Sequence, residues 1–251
     1  MRASAIEFRL RVAIIAVIIT LGFWAPWIGA LGIGRRTSLL EWLALEISRL
    51  GIAPFSVATP SVIVVGTLIA TLGATLRIWG TAYLGMFTMK HAQMLAGSVM
   101  ADGPYRYLRN PLYLGSWCSF GAMALIMPAS GAFFAIVLLT LFFLRLILGE
   151  EAFLSGQIGE PYLAYLRTVP RLIPRLIPRL RNPLKPSGRK PRWLQSVLAE
   201  IFPIGVVVTL AFFSRSYSNM LMSRVIIISF GLSLLVPALL PNHRNEAQAT
   251  E

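Results

Sequence analysis

The chain alternates long charge-free stretches with short polar ones. Val12 to Gly34 carries no charge over about 23 residues, enough to cross roughly 30 Å of hydrocarbon at about 1.5 Å per residue. Its length and the lack of a small-residue cleavage motif predict a retained span rather than a removed leader. Leu39–Leu50 instead mixes Leu, Trp42 and Ile47 with Glu41, Glu46 and Arg49, the pattern of a helix lying in the membrane interface. Pro54 and Pro60 are expected to bracket a turn, and Ser61 to Tyr83 to form a second span. Gly66, Gly73 and Gly80 recur every seven residues in it, so they share one face on which another helix can approach closely.

Pro111 to Leu144 is charge-free over about 34 residues, too many for one ordinary span. Pro128-Ala129-Ser130-Gly131 supplies a turn near its middle, which predicts a hairpin of two short spans. After Arg145, Glu150 and Glu151 the chain turns polar at the membrane edge. The prolines between Pro161 and Arg192, including the repeat Pro170-Arg171-Leu172-Ile173-Pro174-Arg175-Leu176-Ile177-Pro178-Arg179, exclude a continuous helix. Trp193–Phe213, interrupted by Glu200 and Pro203, and Met220–Leu240, which contains Arg224, predict a fifth and a sixth span. The expected fold is all-α, a polytopic transmembrane helix bundle of about six spans with an interfacial helix. Its parts are residues 1–60, an N-terminal span and interfacial helix; 61–176, a core with polar loops; and 177–251, a basic linker and two C-terminal spans.

Composition fits this pattern. Of 251 residues, 56% are hydrophobic and 13% charged, and the mean hydropathy is +0.70, too apolar for an ordinary soluble surface. The net charge of +13 sits beside the apolar stretches rather than on recognition helices, so membrane lipids, not nucleic acid, are the expected partner. Six spans with both ends cytoplasmic place the N-terminal arginines, Arg106, Arg109 and the 150–192 basic stretch inside. They leave Arg35, Arg36, Arg49, Arg215 and Arg224 outside, as the positive-inside rule selects. A single cysteine, Cys118, excludes an intramolecular disulfide, and the two histidines, His91 and His243, are too far apart in sequence to suggest a metal-ligand cluster. No metal is expected.

The chemistry concentrates in two blocks. Asp102-Gly103-Pro104-Tyr105-Arg106-Tyr107-Leu108-Arg109-Asn110-Pro111-Leu112-Tyr113-Leu114-Gly115 resembles the signature loop of the isoprenylcysteine carboxyl methyltransferase and phospholipid N-methyltransferase superfamily, Gly-Pro-Tyr-x-x-Val-Arg-His-Pro-x-Tyr-x-Gly. Glu150-Glu151, Gly159-Glu160-Pro161-Tyr162, Tyr165 and Val169-Pro170-Arg171 are similar to its second block. Arg77-Ile78-Trp79 and Tyr83-Leu84-Gly85 look like its pre-loop helix. Asn110 stands where many members carry His; the Asn-Pro-x-Tyr-x-Gly form resembles the phospholipid N-methyltransferase branch and many bacterial relatives.

The resemblance implies S-adenosylmethionine as methyl donor, a lipophilic acceptor arriving from the bilayer, and a place in a bacterial inner membrane with the active-site loops cytoplasmic. No Gly-x-Gly-x-x-Gly follows a strand, consistent with the lack of a soluble nucleotide-binding domain. The cofactor carries a sulfonium, an ammonium, a carboxylate and an adenine. Gly103, Pro104 and Pro111 offer a turn with close backbone approach, and Tyr105, Tyr113, Tyr162 and Tyr165 aromatic faces. Arg109 and Asn110 offer hydrogen-bond donors, and Glu150 and Glu151 anions for the ammonium or ribose. An amine acceptor must lose a proton, which Glu150 or Glu151 can take, whereas a carboxylate acceptor needs no base. Arg145 and Arg77 are candidates to fix an anionic headgroup, and each is equally readable as a snorkelling arginine. A phospholipid N-methyltransferase, a methyltransferase for another lipid-like or prenylated acceptor, and a non-enzymatic transport or assembly protein of the same fold all remain open.

Overall fold

The computed structural model describes residues 2–24, 37–85, 102–174, 190–216 and 219–239. The chain begins with α1 (Ala5–Arg9), α2 (Arg11–Phe23), α3 (Leu39–Arg49) and α4 (Phe55–Leu84). After a 3-10 turn at Gly103–Arg106 follow α5 (Pro111–Met123), a second 3-10 turn at Ala124–Ile126, α6 (Ala129–Ile158) and α7 (Glu160–Thr168). The C-terminal part is α8 (Trp193–Ala199), α9 (Ile201–Ser216) and α10 (Asn219–Leu239). No strand occurs among the described residues; one antiparallel bridge, Ser38 with Pro128, ties the start of α3 to the α5–α6 turn.

The protein is all-helical and apolar, as expected, and is an integral membrane protein. By length and hydropathy α4 and α6 can each cross a membrane, and α8 with α9 makes a third if that bent pair is one span. The apolar helices Arg11–Phe23, Pro111–Ile126 and Arg224–Ser233 are shorter than a span, so six full spans are not borne out by the described helices. The second half of the expected first span, Arg35, Arg36, Lys90, His91, the second half of the Pro-Arg-Leu-Ile repeat and the C-terminal tail with His243 lie outside the described residues.

Two boundaries differ from the sequence reading. Pro54 caps α4, and Pro60 lies inside it rather than closing a turn. That proline falls near the helix start, where it forfeits a single interior N–H bond. At the other end α6 does not stop near Leu144 but continues through Arg145, Glu150 and Glu151 to Ile158, ending at Gly159 with φ +72°. Arg145 and Glu151 have ion-pair partners (below), and a positive φ at glycine is the ordinary helix stop.

The glycine stripe of α4 packs against α5 and its neighbours. A Cβ on Gly73 would meet the Gly115 carbonyl oxygen and Ser119 Oγ, both at 2.7 Å, and a Cβ on Gly115 would meet the Gly73 carbonyl at 2.7 Å. Gly80 sits against Leu112, and Gly66 against Leu125. The two backbones touch because both helices carry glycine at the crossing. This contact fixes the start of α5, and with it the signature loop, against the C-terminal half of α4.

The break between α8 and α9 bends the chain by 67°. Pro203, four residues beyond Ala199, lacks the N–H that would bond to the Ala199 carbonyl, and its ring crowds that carbonyl. The bend turns Glu200 inward to an exposure of 1%.

Candidate active site

The signature loop is built by local rules. Gly103 adopts φ +54°, and a side chain there would overlap the Tyr83 ring, so the loop approaches the end of α4 as only glycine allows. Trp79 of α4 packs on Tyr107 with ring centres 5.8 Å apart, while Pro104, Tyr105 and Leu108 are buried. Pro111 opens α5 at its first turn, where its missing N–H is not needed.

The two sequence blocks meet through main chain and side chain alike. The Arg109 amide donates to the Pro170 carbonyl at 2.9 Å, and the Tyr165 hydroxyl donates to the Tyr105 carbonyl at 2.8 Å. Asn110 Nδ2 donates to the Arg171 carbonyl at 3.2 Å and to Glu151 Oε1 at 3.3 Å. Arg171 approaches Glu151 with Nε at 3.2 Å from both oxygens and one terminal nitrogen at 2.8 Å from Oε2, while an Arg109 terminal nitrogen lies 3.2 Å from Oε1. Glu151 is thus a buried carboxylate among two guanidiniums and an amide.

Glu150 points elsewhere. It lies within electrostatic reach of Tyr113 of α5 and of Arg11 at the start of α2. Successive residues on a helix diverge by about 100°, so the adjacent carboxylates face different neighbours. Glu151 faces the signature loop and Arg171; Glu150 faces Tyr113 and the N-terminal segment.

The aromatic groups surround this pair. Tyr162 and Tyr165 lie with ring centres 5.8 Å apart and are buried with Val169 in a small cluster of their own. Burial pushes the phenols of Tyr105, Tyr162 and Tyr165 above the ordinary range, so all three remain neutral donors at physiological pH. The hydrogen bonds to Glu151, followed by its charge, hold the Arg171 guanidinium still more firmly protonated. Three buried side-chain atoms, the Tyr105 hydroxyl, Arg109 Nε and Ser119 Oγ, have no hydrogen-bond partner among the described residues, and the first two belong to the signature loop.

Of the residues expected at the site, Gly103, Pro104, Tyr105, Arg109, Asn110, Pro111, Glu151, Tyr162 and Tyr165 come together, with Glu150 and Tyr113 adjoining. Arg77 and Arg145 do not join them. Arg145 donates to both oxygens of Glu7 at 2.8 and 2.9 Å, a link between α6 and α1. Arg77 donates from Nε to Glu200 Oε2 at 2.5 Å and from a terminal nitrogen to Oε1 at 3.1 Å; Thr81 donates to the same Oε1 at 2.6 Å, and Ser116 completes the group.

Sequence reasoning assigned no role to Arg171, Arg11, Glu7 or Glu200. Arg171 stood within the second block, and its place beside Glu151 is visible only in three dimensions. For Glu200 a signal existed: a carboxylate in an apolar segment requires a partner, and Arg77 is an arginine in another such segment. Among the described residues no group of His, Cys, Asp and Glu is arranged to hold a metal ion.

No curated protein and no solved structure matches the chain. Residues 61–160, which run from α4 across the signature loop to the start of α7, match the family Phospholipid methyltransferase. That stretch, 100 of the 251 residues, contains the glycine contact, Gly103, Arg109, Asn110, Tyr113 and both carboxylates, and over it the chain is similar to the phospholipid methyltransferase family.

Proposed function

We propose that the protein transfers a methyl group from S-adenosylmethionine to the amine of a phospholipid headgroup, at the cytoplasmic face of a bacterial inner membrane. The family match supports methyl transfer to a lipid-like acceptor. The observation that carries the finer reading is the pair of adjacent carboxylates in unlike settings beside the signature loop.

The donor set fits this cofactor. Its amino-acid end carries a carboxylate and an ammonium side by side, and the Arg109, Glu151 and Arg171 cluster carries both opposite charges at matching range. Arg109 Nε and the Tyr105 hydroxyl are buried donors that still need an acceptor, and an unsatisfied buried donor costs about 1–3 kcal/mol. Tyr162 offers an aromatic face next to the same carboxylate. When bound, the cofactor supplies an electrophilic methyl group on a sulfonium.

Glu150 has the other task. An ammonium headgroup has no lone pair to attack with, so a base must first take its proton. Glu150 beside Tyr113 is the carboxylate not already surrounded by the Arg109 and Arg171 guanidiniums. A correctly placed base contributes about 10²–10⁴-fold. The rest of the catalysis is alignment: α4 and α5 hold the loop rigid through the Gly73–Gly115 contact, and the apolar helices exclude water from the line of attack.

The test is expression in a bacterial host whose membranes contain no methylated phosphatidylethanolamine, with methyl-deuterated methionine in the medium and mass spectrometry of the extracted lipids. Deuterated methyl groups on phosphatidylethanolamine are expected with the parent and absent with Glu150→Gln. Unlabelled lipids from cells with the parent correctly inserted would refute the acceptor assignment.

A further inference from the structure

Helices α8 and α9 follow the matched residues 61–160 in the chain, yet they are bonded to the same last turns of α4 that carry the signature loop. On one side of those turns Trp79 packs on Tyr107, Gly80 sits against Leu112, and Tyr83 fills the space that a side chain on Gly103 would need. The other side is linked to α8 and to the α8–α9 break. There the Arg192 amide donates to the Ala82 carbonyl at 2.9 Å, the Ser196 hydroxyl donates to the Ile78 carbonyl, and Arg77 and Thr81 both donate to Glu200. At about 100° per residue, positions 77, 78, 81 and 82 share one face of a helix and 79, 80 and 83 the opposite one. Ala82 lies in the last turn of α4, where carbonyls lack an intrahelical donor, and the Arg192 amide supplies one.

Arg77 reaches from one side to the other. Its stem passes through the notch left by Gly115, the last glycine of the signature motif, where a Cβ would come within 2.7 Å of Arg77 Cγ. Beyond the notch the guanidinium is divided. Nε and one terminal nitrogen bond to the two oxygens of Glu200 at 2.5 and 3.1 Å, while the other terminal nitrogen faces α5, 2.5 Å from Ser116 Oγ and 3.4 Å from the Leu112 carbonyl. A guanidinium is a rigid planar fork, so gripping it along one edge fixes where its remaining N–H groups point. Glu200, buried and held also by Thr81, is that grip. Leu112 stands two residues after Asn110, which donates to Glu151 and to the Arg171 carbonyl and accepts from the Leu114 amide at 3.1 Å.

From this geometry we infer that α8 and α9 are part of the cofactor site, and that Glu200 is a positioning residue: it aims Arg77 at the first turns of α5 and so keeps Arg109 and Asn110 set on Glu151. The inference rests on the reading of the Arg109, Glu151 and Arg171 cluster as the S-adenosylmethionine site. Without the Glu200 carboxylate the Arg77 side chain can swing toward the membrane surface, as long basic side chains near span ends do. The start of α5 then loses the donor that serves Ser116 and the Leu112 carbonyl. Thr81 and Ser196 act one step further back, by fixing Glu200 and α8 on α4.

The test separates position from stability through a double-mutant cycle of Arg77→Met and Glu200→Leu in the full-length protein. Each single variant strands the charge of the other member, whereas the double strands none and is expected to unfold closer to the parent. Cofactor binding should not recover with it. In calorimetric titration with S-adenosylmethionine all three variants are expected to bind about tenfold more weakly than the parent, with the double within about twofold of either single. In turnover, KM for the cofactor should rise by a like factor with KM for phosphatidylethanolamine unchanged within about twofold, whereas a merely less stable protein loses active molecules and lowers kcat alone. A second readout needs no cofactor. Amide hydrogen exchange across residues 103–116, which include the bonded Arg109 and Leu114 amides, should run about tenfold faster in the double variant than in the parent.

Parental affinity in a double variant of restored stability, or parental exchange across residues 103–116, would overturn the inference, since the ion pair would then be a structural tie and nothing more. A folded parent that binds no S-adenosylmethionine would instead refute the cofactor reading, and the exchange measurement then decides alone whether Glu200 acts on the signature loop.

Discussion

Replacing Glu200 with leucine tests whether α8 and α9 are joined to α4 by the Arg77 ion pair. Glu200 is 1% exposed and accepts two hydrogen bonds from Arg77 and one from Thr81, so the substitution removes three charge-assisted contacts together. Breaking a buried pair by removing one member costs about 3–5 kcal/mol. Here the Arg77 side chain is 20% exposed and keeps Ser116 and the Leu112 carbonyl within reach, which places the cost at or below the lower end of that range, about 2–3 kcal/mol. The double replacement Arg77→Met with Glu200→Leu leaves no charge stranded and is expected to recover at least half of that loss, a coupling of roughly 1–2 kcal/mol. The assay is unfolding of the detergent-solubilised protein by increasing dodecyl sulfate, followed by tryptophan fluorescence and far-UV circular dichroism. Single variants within about 0.5 kcal/mol of the parent, or a double variant that loses the sum of the singles, would refute the argument.

Four further outcomes follow from particular positions. Gly73→Ala drives a methyl into the Gly115 carbonyl and Ser119 and is expected to cost about 1–3 kcal/mol in the same assay. Gly121→Ala, with nothing within 4 Å, should be neutral or stabilise by up to about 1 kcal/mol. Burial raises the Tyr165 phenol above the ordinary value of 10.0, so the unfolded chain ionises first. Stability contributed by this residue is complete below pH 10 and falls as pH rises beyond it, and Tyr165→Phe should flatten that fall in thermal unfolding scans. The Ser4 amide first, and then Arg145, hold the Glu7 carboxyl down to about 2 from an ordinary 4.5. Attachment of α1 is therefore complete above pH 4.5 and lost as pH falls toward 2, which limited proteolysis of the first ten residues by pepsin should detect.

Much of the architecture was legible in the sequence because the bilayer imposes simple rules. Charge-free runs marked the apolar helices, Pro128 marked the hairpin turn, and the seven-residue glycine spacing marked the face of α4 that meets α5. The exceptions share a cause, the reading of a charged or cyclic residue without its surroundings. Glu150, Glu151 and Arg145 looked like a terminus, yet α6 continues, with Arg145 and Glu151 held in ion pairs. Glu200 and Pro203 looked like interruptions of one span; Pro203 causes the bend, and the bend delivers Glu200 to Arg77, 123 residues away in the chain. Within the site, the two motif blocks identified which residues gather. They did not distinguish Glu150 from Glu151, because neighbours on a helix point in different directions and only the packed structure reveals what lies in each.

The most direct measurement is a calorimetric titration of S-adenosylmethionine into the purified detergent-solubilised protein, with Arg109→Ala and Glu151→Ala alongside. Roughly micromolar binding by the parent, about −8 kcal/mol, weakened at least tenfold in both variants while their helical content is unchanged, is the expected result. A folded parent that takes up no cofactor, or variants that bind as the parent does, would contradict the assignment of the Arg109, Glu151 and Arg171 cluster as the methyl donor's site.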